Sequence, residues 1–172
     1  SAIVASDQIK GDREAKIILI EYSDFQCPAC AAYAPIVKQI AEEFKDSAVF
    51  VYRHFPLSQH KNAELAALAA EAAGKQGKFW EMHDLIFENQ NEWSESQIAE
   101  ELFVKYATEL NINIGQFKND LISKEIKDKV KNDLRSGEKN GVNFTPTFFL
   151  NNKKIQPRSY DEFKQLIEAS KS

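Results

Sequence analysis

Only two cysteines occur in the 172 residues, and they stand close together, as Cys27 and Cys30. Structural disulfide frameworks spread several cysteines along a chain, so that each bridge closes a loop whose entropy matters. A lone pair this near in sequence constrains almost nothing in the unfolded chain, which points to a chemical purpose. Long apolar runs are also missing. Nothing approaches the roughly 18 apolar residues of a membrane span, and Ile17 to Ile20 is a four-residue strand core. Basic charge is in deficit, with 22 Lys and Arg against 26 Asp and Glu, so a nucleic-acid surface is excluded. The densest basic stretch, Lys124 to Arg135, also carries Glu125, Asp128 and Asp133 and reads as a solvated helix face. The chain opens Ser1-Ala2, without a charged n-region or an apolar h-region. Two readings stay open: a cytosolic protein, or an exported one whose leader or anchor lies outside this sequence. There is no internal repeat, low-complexity tract or Pro/Gly linker. What remains, 43% hydrophobic and 28% charged residues, is ordinary for a soluble single domain able to bury a core.

Residues 1–15 are polar and without period, and read as a surface arm. Ile17 to Tyr22 is a nearly continuous apolar run, as in a strand buried on both faces. Pro28 suits a first helical turn, and Tyr33, Ile36, Val37, Ile40 and Phe44 recur at helical spacing, predicting a helix over 28–45 kinked at Pro35. Val49 to Arg53 predicts a second strand. This β-α-β order favours parallel strands joined by a helical crossover. The next eighty or so residues hold no strand. Asn62 is read as the cap of one helix, with Gly74 and Gly77 as its stops, and Phe79 to Ile86 gives a second. Ser94 to Gln97 reads as a capping box for a third, Phe117 and Leu121 as part of a fourth. A last one, through Ile126, Val130 and Leu134, ends near Gly137 or Gly141. Strands over 147–150 and 153–155 flank Asn151-Asn152, a pair that tolerates a tight hairpin, and Ser159 or Asp161 opens a final helix.

Cys27-Pro28-Ala29-Cys30 therefore leaves a buried strand and opens a helix. There the unpaired N–H groups and the positive end of the macrodipole favour an anionic sulfur on Cys27. Such placement lowers a cysteine pKa from ~8.5 into a range of roughly 3.5–7.5. The spacing sets Cys30 one turn further on the same face, within disulfide reach and covered by the helix while Cys27 faces solvent. One sulfur attacks or is attacked; the other resolves the mixed disulfide. The competing reading is half of a structural zinc site, with His54 and His60 as further ligands. Against it, the gap from Cys30 to His54 is longer than a usual finger loop, and His60 lies beyond Pro56 on another element. The three histidines, His54, His60 and His83, are read as structural, and Trp80 and Trp93 as core or rim.

The stretch from Glu21 through Asp24-Phe25-Gln26 to Cys30 resembles the active-site strand and helix of the bacterial DsbA-like disulfide oxidoreductases. Further segments agree in order: Tyr52 to Leu57, Gly77-Lys78-Phe79-Trp80, and Gly141-Val142 through Thr145-Pro146-Thr147-Phe148-Phe149. The resemblance implies an α/β, thioredoxin-like fold with an inserted helical subdomain. Its parts are an N-terminal arm over 1–15, a thioredoxin-like domain from 16–60 and 138–172, and an insert over 61–137. It implies an enzyme that introduces disulfides into exported proteins, working outside the cytoplasm and reoxidised by a membrane partner. Its only redox group is the Cys27–Cys30 disulfide, with no separate cofactor and no metal. Reduced or unfolded thiol proteins are the implied substrates. Cys27, Cys30 and Glu21 take the catalytic positions, Glu21 as the acid that exchanges a proton with Cys30. Pro28, Ala29, Thr145 and Pro146 take the substrate-binding positions, with Thr145-Pro146 as a cis peptide. Two departures stand out: Ala29 where the most oxidising members carry histidine, and Phe144 where glycine is frequent. A reductase or isomerase with the same cysteines, or a non-catalytic peptide- or metal-binding module, are the rival readings.

Overall fold

The computed structural model describes residues 2–171. Five strands form one sheet in the order β1-β3-β2-β4-β5: β1 (Gln8–Gly11), β2 (Ile17–Ser23), β3 (Ala48–His54), β4 (Thr147–Leu150) and β5 (Lys153–Ile155). β2 and β3 are parallel, joined by α1 (Pro28–Glu43), while every other pairing is antiparallel. β2 holds the centre, which is why its sequence is apolar on both faces. Leu19 and Phe50 turn to the α1 side, Ile20, Val49 and Val51 to the other.

Between β3 and β4 run α2 (Ala63–Gly74), α3 (Phe79–Glu88), α4 (Gln90–Trp93), α5 (Ala99–Glu109), α6 (Ile114–Leu121) and α7 (Lys124–Lys139). α8 (Tyr160–Ala169) closes the chain, capped by the Ser159 hydroxyl. The alanines of α2 let it sit deep: Ala66, Ala69, Ala70, Ala72 and Ala73 are fully covered. Trp93 is completely buried with its indole N–H on the Ile86 carbonyl, whereas Trp80 is half-buried.

Several local expectations are corrected. Residues 8–11, read as part of an arm, are an edge strand antiparallel to β3. An edge strand is held by main-chain bonds, which leave no side-chain period to read. Its Ile9 carbonyl accepts from the Trp80 indole (3.0 Å), and Gly11 is glycine because φ is +91° and a Cβ would lie 2.4 Å from the Ala48 carbonyl oxygen. Of the two glycines read as the stop of the last insert helix, Gly141 holds, following Lys139 and Asn140 with φ +78°, while Gly137 lies inside α7, where a Cβ would come within 2.6 Å of the Phe55 ring. Pro35 lies inside α1, as expected. The segment 94–97 forms no capping box: α5 starts at Ala99, and the Ser96 hydroxyl accepts instead from the Ile98 N–H. Asn62 precedes α2, but its carboxamide makes no cap.

Candidate active site

β2 delivers the chain into a tight loop that ends on Cys27, the N-cap of α1, with Pro28 in the first turn. Asp24 shapes that loop. Its buried carboxylate accepts from the main-chain N–H groups of Gln26 (2.7 Å) and Leu57 (2.8 Å) and meets His60 Nδ1 at 2.7 Å. His54 meets a different carboxylate, Glu71, at 2.7 Å, and His83 pairs with Asp84 at 2.9 Å. The two histidines of the zinc reading thus serve separate acidic partners.

Cys27 and Cys30 stand as free thiols in this structure. Cys30 is wholly covered, and Cys27 is also less open than its position suggests, at 8% exposed. Pro28 and Ala29, between them, are exposed. The Cys27 thiol donates to the Thr145 carbonyl at 3.6 Å, and the Asp24 N–H points to Cys30 Sγ at 3.5 Å. The Thr145–Pro146 peptide is cis and faces the cysteines through that carbonyl. Phe144, just before it, is 41% exposed.

The sulfurs are electrically unequal. A hydrogen bond from Cys30 is the largest influence on Cys27; burial opposes it, and Thr145 and the N–H groups opening α1 help bring its pKa down to about 5. Cys30 is pushed well up, first by burial, then by the neighbouring Cys27 and by the charge of Glu21. At neutral pH the pair holds one proton, and Cys30 keeps it.

Glu21 is 3% exposed, and burial pushes its carboxyl up to about 8, opposed by the nearby Ser23 hydroxyl. Register explains its surroundings. Glu21 lies opposite Tyr52 on β3, and Ser23 follows two residues on, so all three share the α1 face. Among the described residues the buried hydroxyls of Ser23, Tyr52 and Thr145 meet no partner at hydrogen-bonding geometry. Of the residues expected from sequence, Cys27, Cys30, Thr145 and Pro146 meet at one place, with Pro28 and Ala29 on its rim and Glu21 beneath. His60, read as structural, holds Asp24, while Ser23, Asp24, Tyr52 and Gln90 were given no part in the site by sequence. Ser23 was within reach of the period-2 rule applied from Glu21; Gln90 carried no sequence signal.

A parallel β-α-β unit extended by an antiparallel hairpin, with a Cys-x-x-Cys dithiol at a helix start facing a cis-proline loop, defines the class: a thioredoxin-fold dithiol protein. The chain matches the thioredoxin family over residues 5–169 and belongs to it. Among solved structures, oxidised BdbD from Bacillus subtilis superposes with TM-score 0.83 at 27% identity, covering 95% of this chain and 91% of that one. The alpha-DsbA1 of Wolbachia pipientis gives TM-score 0.86 at 23% identity, with 97% and 92% covered. The chain is therefore a DsbA-like member of the thioredoxin superfamily. A curated relative, "Na(+)/H(+) antiporter NhaA 3" of Salinispora tropica, is 36% identical over 149 residues. That match takes in 86% of this chain but only 22% of the relative's length. Among the described residues no helix is long and apolar enough to cross a membrane.

Proposed function

We propose that the chain is a dithiol oxidant acting on exported proteins outside the cytoplasm. In the oxidised state a substrate thiolate attacks Cys27 Sγ, and the Cys27–Cys30 bond breaks with its electron pair on Cys30. Glu21, protonated at neutral pH, hands that sulfur its proton. The substrate's second thiolate then attacks the substrate sulfur of the mixed disulfide and displaces Cys27 as a thiolate. Two electrons have moved from substrate to protein, and Glu21 recovers a proton from solvent. The exposed Phe144 and the Thr145 main chain offer an extended peptide a place beside the sulfurs. Reoxidation returns two electrons to a membrane-bound acceptor. Location of the segment beside a membrane is in keeping with its occurrence in proteins named as antiporters.

The observation that carries this reading is the inequality of the two sulfurs. A sulfur with its pKa near 5 is a good leaving group, and stabilising the reduced form is what makes a dithiol pair oxidising. The test is the equilibrium potential against glutathione. A value above about −200 mV supports the oxidant, while one below about −250 mV assigns a reductase.

A further inference from the structure

The helical insert touches the sulfur loop through side-chain amides. Gln90, the first residue of α4, sends its Nε2 to two main-chain oxygens of that loop, those of Phe25 (2.7 Å) and Cys27 (3.0 Å). Among the described residues the Phe25 carbonyl has no other donor, and the Cys27 carbonyl otherwise receives only the Ala31 N–H at 3.1 Å. Gln90 is itself held. The Asn62 carboxamide donates to the carbonyls of Trp93, Ser94 and Ser96, at 3.0, 3.1 and 2.9 Å, pinning the segment that follows α4. Gln26 closes the circuit, accepting from the Asn62 N–H at 2.9 Å and donating to Glu95 at 3.2 Å. Three amides from three elements thus form a ring that begins and ends on the residues flanking Cys27. This ring also explains why residues 94–97 open no helix: their carbonyls are engaged elsewhere.

We infer that Gln90 is a positioning residue through which the helical insert sets the reactivity of Cys27. Two effects follow from the geometry. The two Gln90 N–H bonds set donor dipoles against the carbonyls of Phe25 and Cys27 and so make the main chain around the sulfur more electropositive. The ring also fixes the Cys27 main chain, so that Sγ stays aligned with the α1 N–H groups and with Thr145. Removing the amide leaves the buried Phe25 carbonyl unpaired and frees the N-cap to drift. Both changes disfavour the thiolate. The inference rests on the proposed thiol chemistry for its importance, but its readout is a difference between variant and parent, which exists for an oxidant and a reductase alike.

The experiment titrates the Cys27 thiolate by its ultraviolet absorbance and measures the glutathione equilibrium for parent, Gln90→Met and Gln90→Glu. Gln90→Met, of similar length but without a donor, is expected to cut the thiolate fraction below the pKa by about three- to tenfold. The dithiol then becomes less oxidising by the same factor, which is about 15–30 mV for a two-electron couple. Gln90→Glu, close to isosteric, adds a negative charge beside the loop and shifts both quantities further in the same direction. Asn62→Ala, which loosens the ring one step away, shifts them the same way by less. Asn113→Ala, which removes the side-chain cap of α6 outside the ring, lowers stability and leaves both quantities alone. If Gln90→Met and Gln90→Glu melt earlier but keep the parent's thiol titration and potential, the ring is structural only and the inference is overturned. A parent potential in the reductase range, with the Gln90 shifts present, would instead overturn the proposed direction and leave the inference standing.

Discussion

Neighbours on β3, Tyr52 and Arg53, point to opposite faces of the sheet, and the polar clusters they belong to are satisfied to opposite degrees. On one face Arg53 is 3% exposed and saturated. It grips Asp7 with two bonds (3.0 and 2.9 Å), and reaches the Tyr22 hydroxyl (2.9 Å), the Ser136 hydroxyl (3.2 Å) and the Ala2 carbonyl (3.0 Å). Burial works against its charge, yet Asp7 more than compensates and raises its pKa further. In the other cluster Tyr52, Ser23 and Glu21 are equally buried, but among the described residues two hydroxyls meet no partner and no cation pairs with the carboxyl. Unsatisfied buried polar groups cost stability. The first cluster ties the N-terminal segment to the sheet; the second holds a carboxyl of raised pKa near Cys30, the proton donor of the proposed mechanism.

Breaking the saturated side gives the largest effect. Arg53→Met leaves the Asp7 carboxylate, whose side chain is 0% exposed, buried without its cation. Such half-pairs cost about 3–5 kcal/mol, to be read from denaturant midpoints with little change in thiol chemistry. Adding Asp7→Asn is expected to recover part of the loss, because the stranded charge disappears with it.

The unsatisfied side answers with the opposite sign. A carboxyl whose folded pKa is raised from 4.5 to about 8 keeps its proton over the range where the unfolded chain has lost it. Glu21 therefore costs nothing below pH 4.5, and its cost grows as pH rises towards 8, then levels off. Glu21→Gln should stabilise the protein on the order of a few kcal/mol at pH 8 and not at pH 4. The same variant is expected to slow thiol exchange at neutral pH by about 10²-fold, the scale of a lost general acid. Paired denaturation curves and stopped-flow exchange check both. A stability gain independent of pH would remove the distinction between the clusters.

The smallest effect sharpens the comparison at its exposed edge. Ala29 offers Cys27 neither donor nor charge, and Ala29→His adds both beside a partly desolvated sulfur, for about 1–2 kcal/mol. That is about 20–45 mV of added oxidising power. The thiol titration and the potential should move together. A potential that rises while the titration stays put would mean that strain in the disulfide, rather than the thiolate, sets it.

The parts legible in the sequence were those where burial imposes a period. β2 and α1 are apolar at the spacing their packing demands, and Asn151-Asn152 adopts positive φ (47° and 69°) because the hairpin needs it. Cys27 and Cys30 were legible for a different reason, their isolation. What escaped was held by polar bonds between distant residues. β1 is an edge strand whose main chain does the pairing, and the amide ring joins positions 26, 62 and 90, whose distances in sequence carry no rule. The silent hydroxyls of Ser23 and Tyr52 were invisible for a related reason: a polar residue in a strand reads as solvent-facing until both faces of that strand are known to be covered.

The contact between Cys27 and Thr145 spans 118 positions, with all of the insert between them. A chain made from its amino end would therefore expose the cysteine pair long before the loop that confronts it exists. During that interval the sulfurs lack the Thr145 carbonyl and the cover of the later helices, and long-range closures of this kind are slow. Competence arrives late and all at once, when β4 docks beside β2. The cysteine pair is thus a local feature of the chain, whereas the surface that confronts it is completed only by residues from the chain's far end.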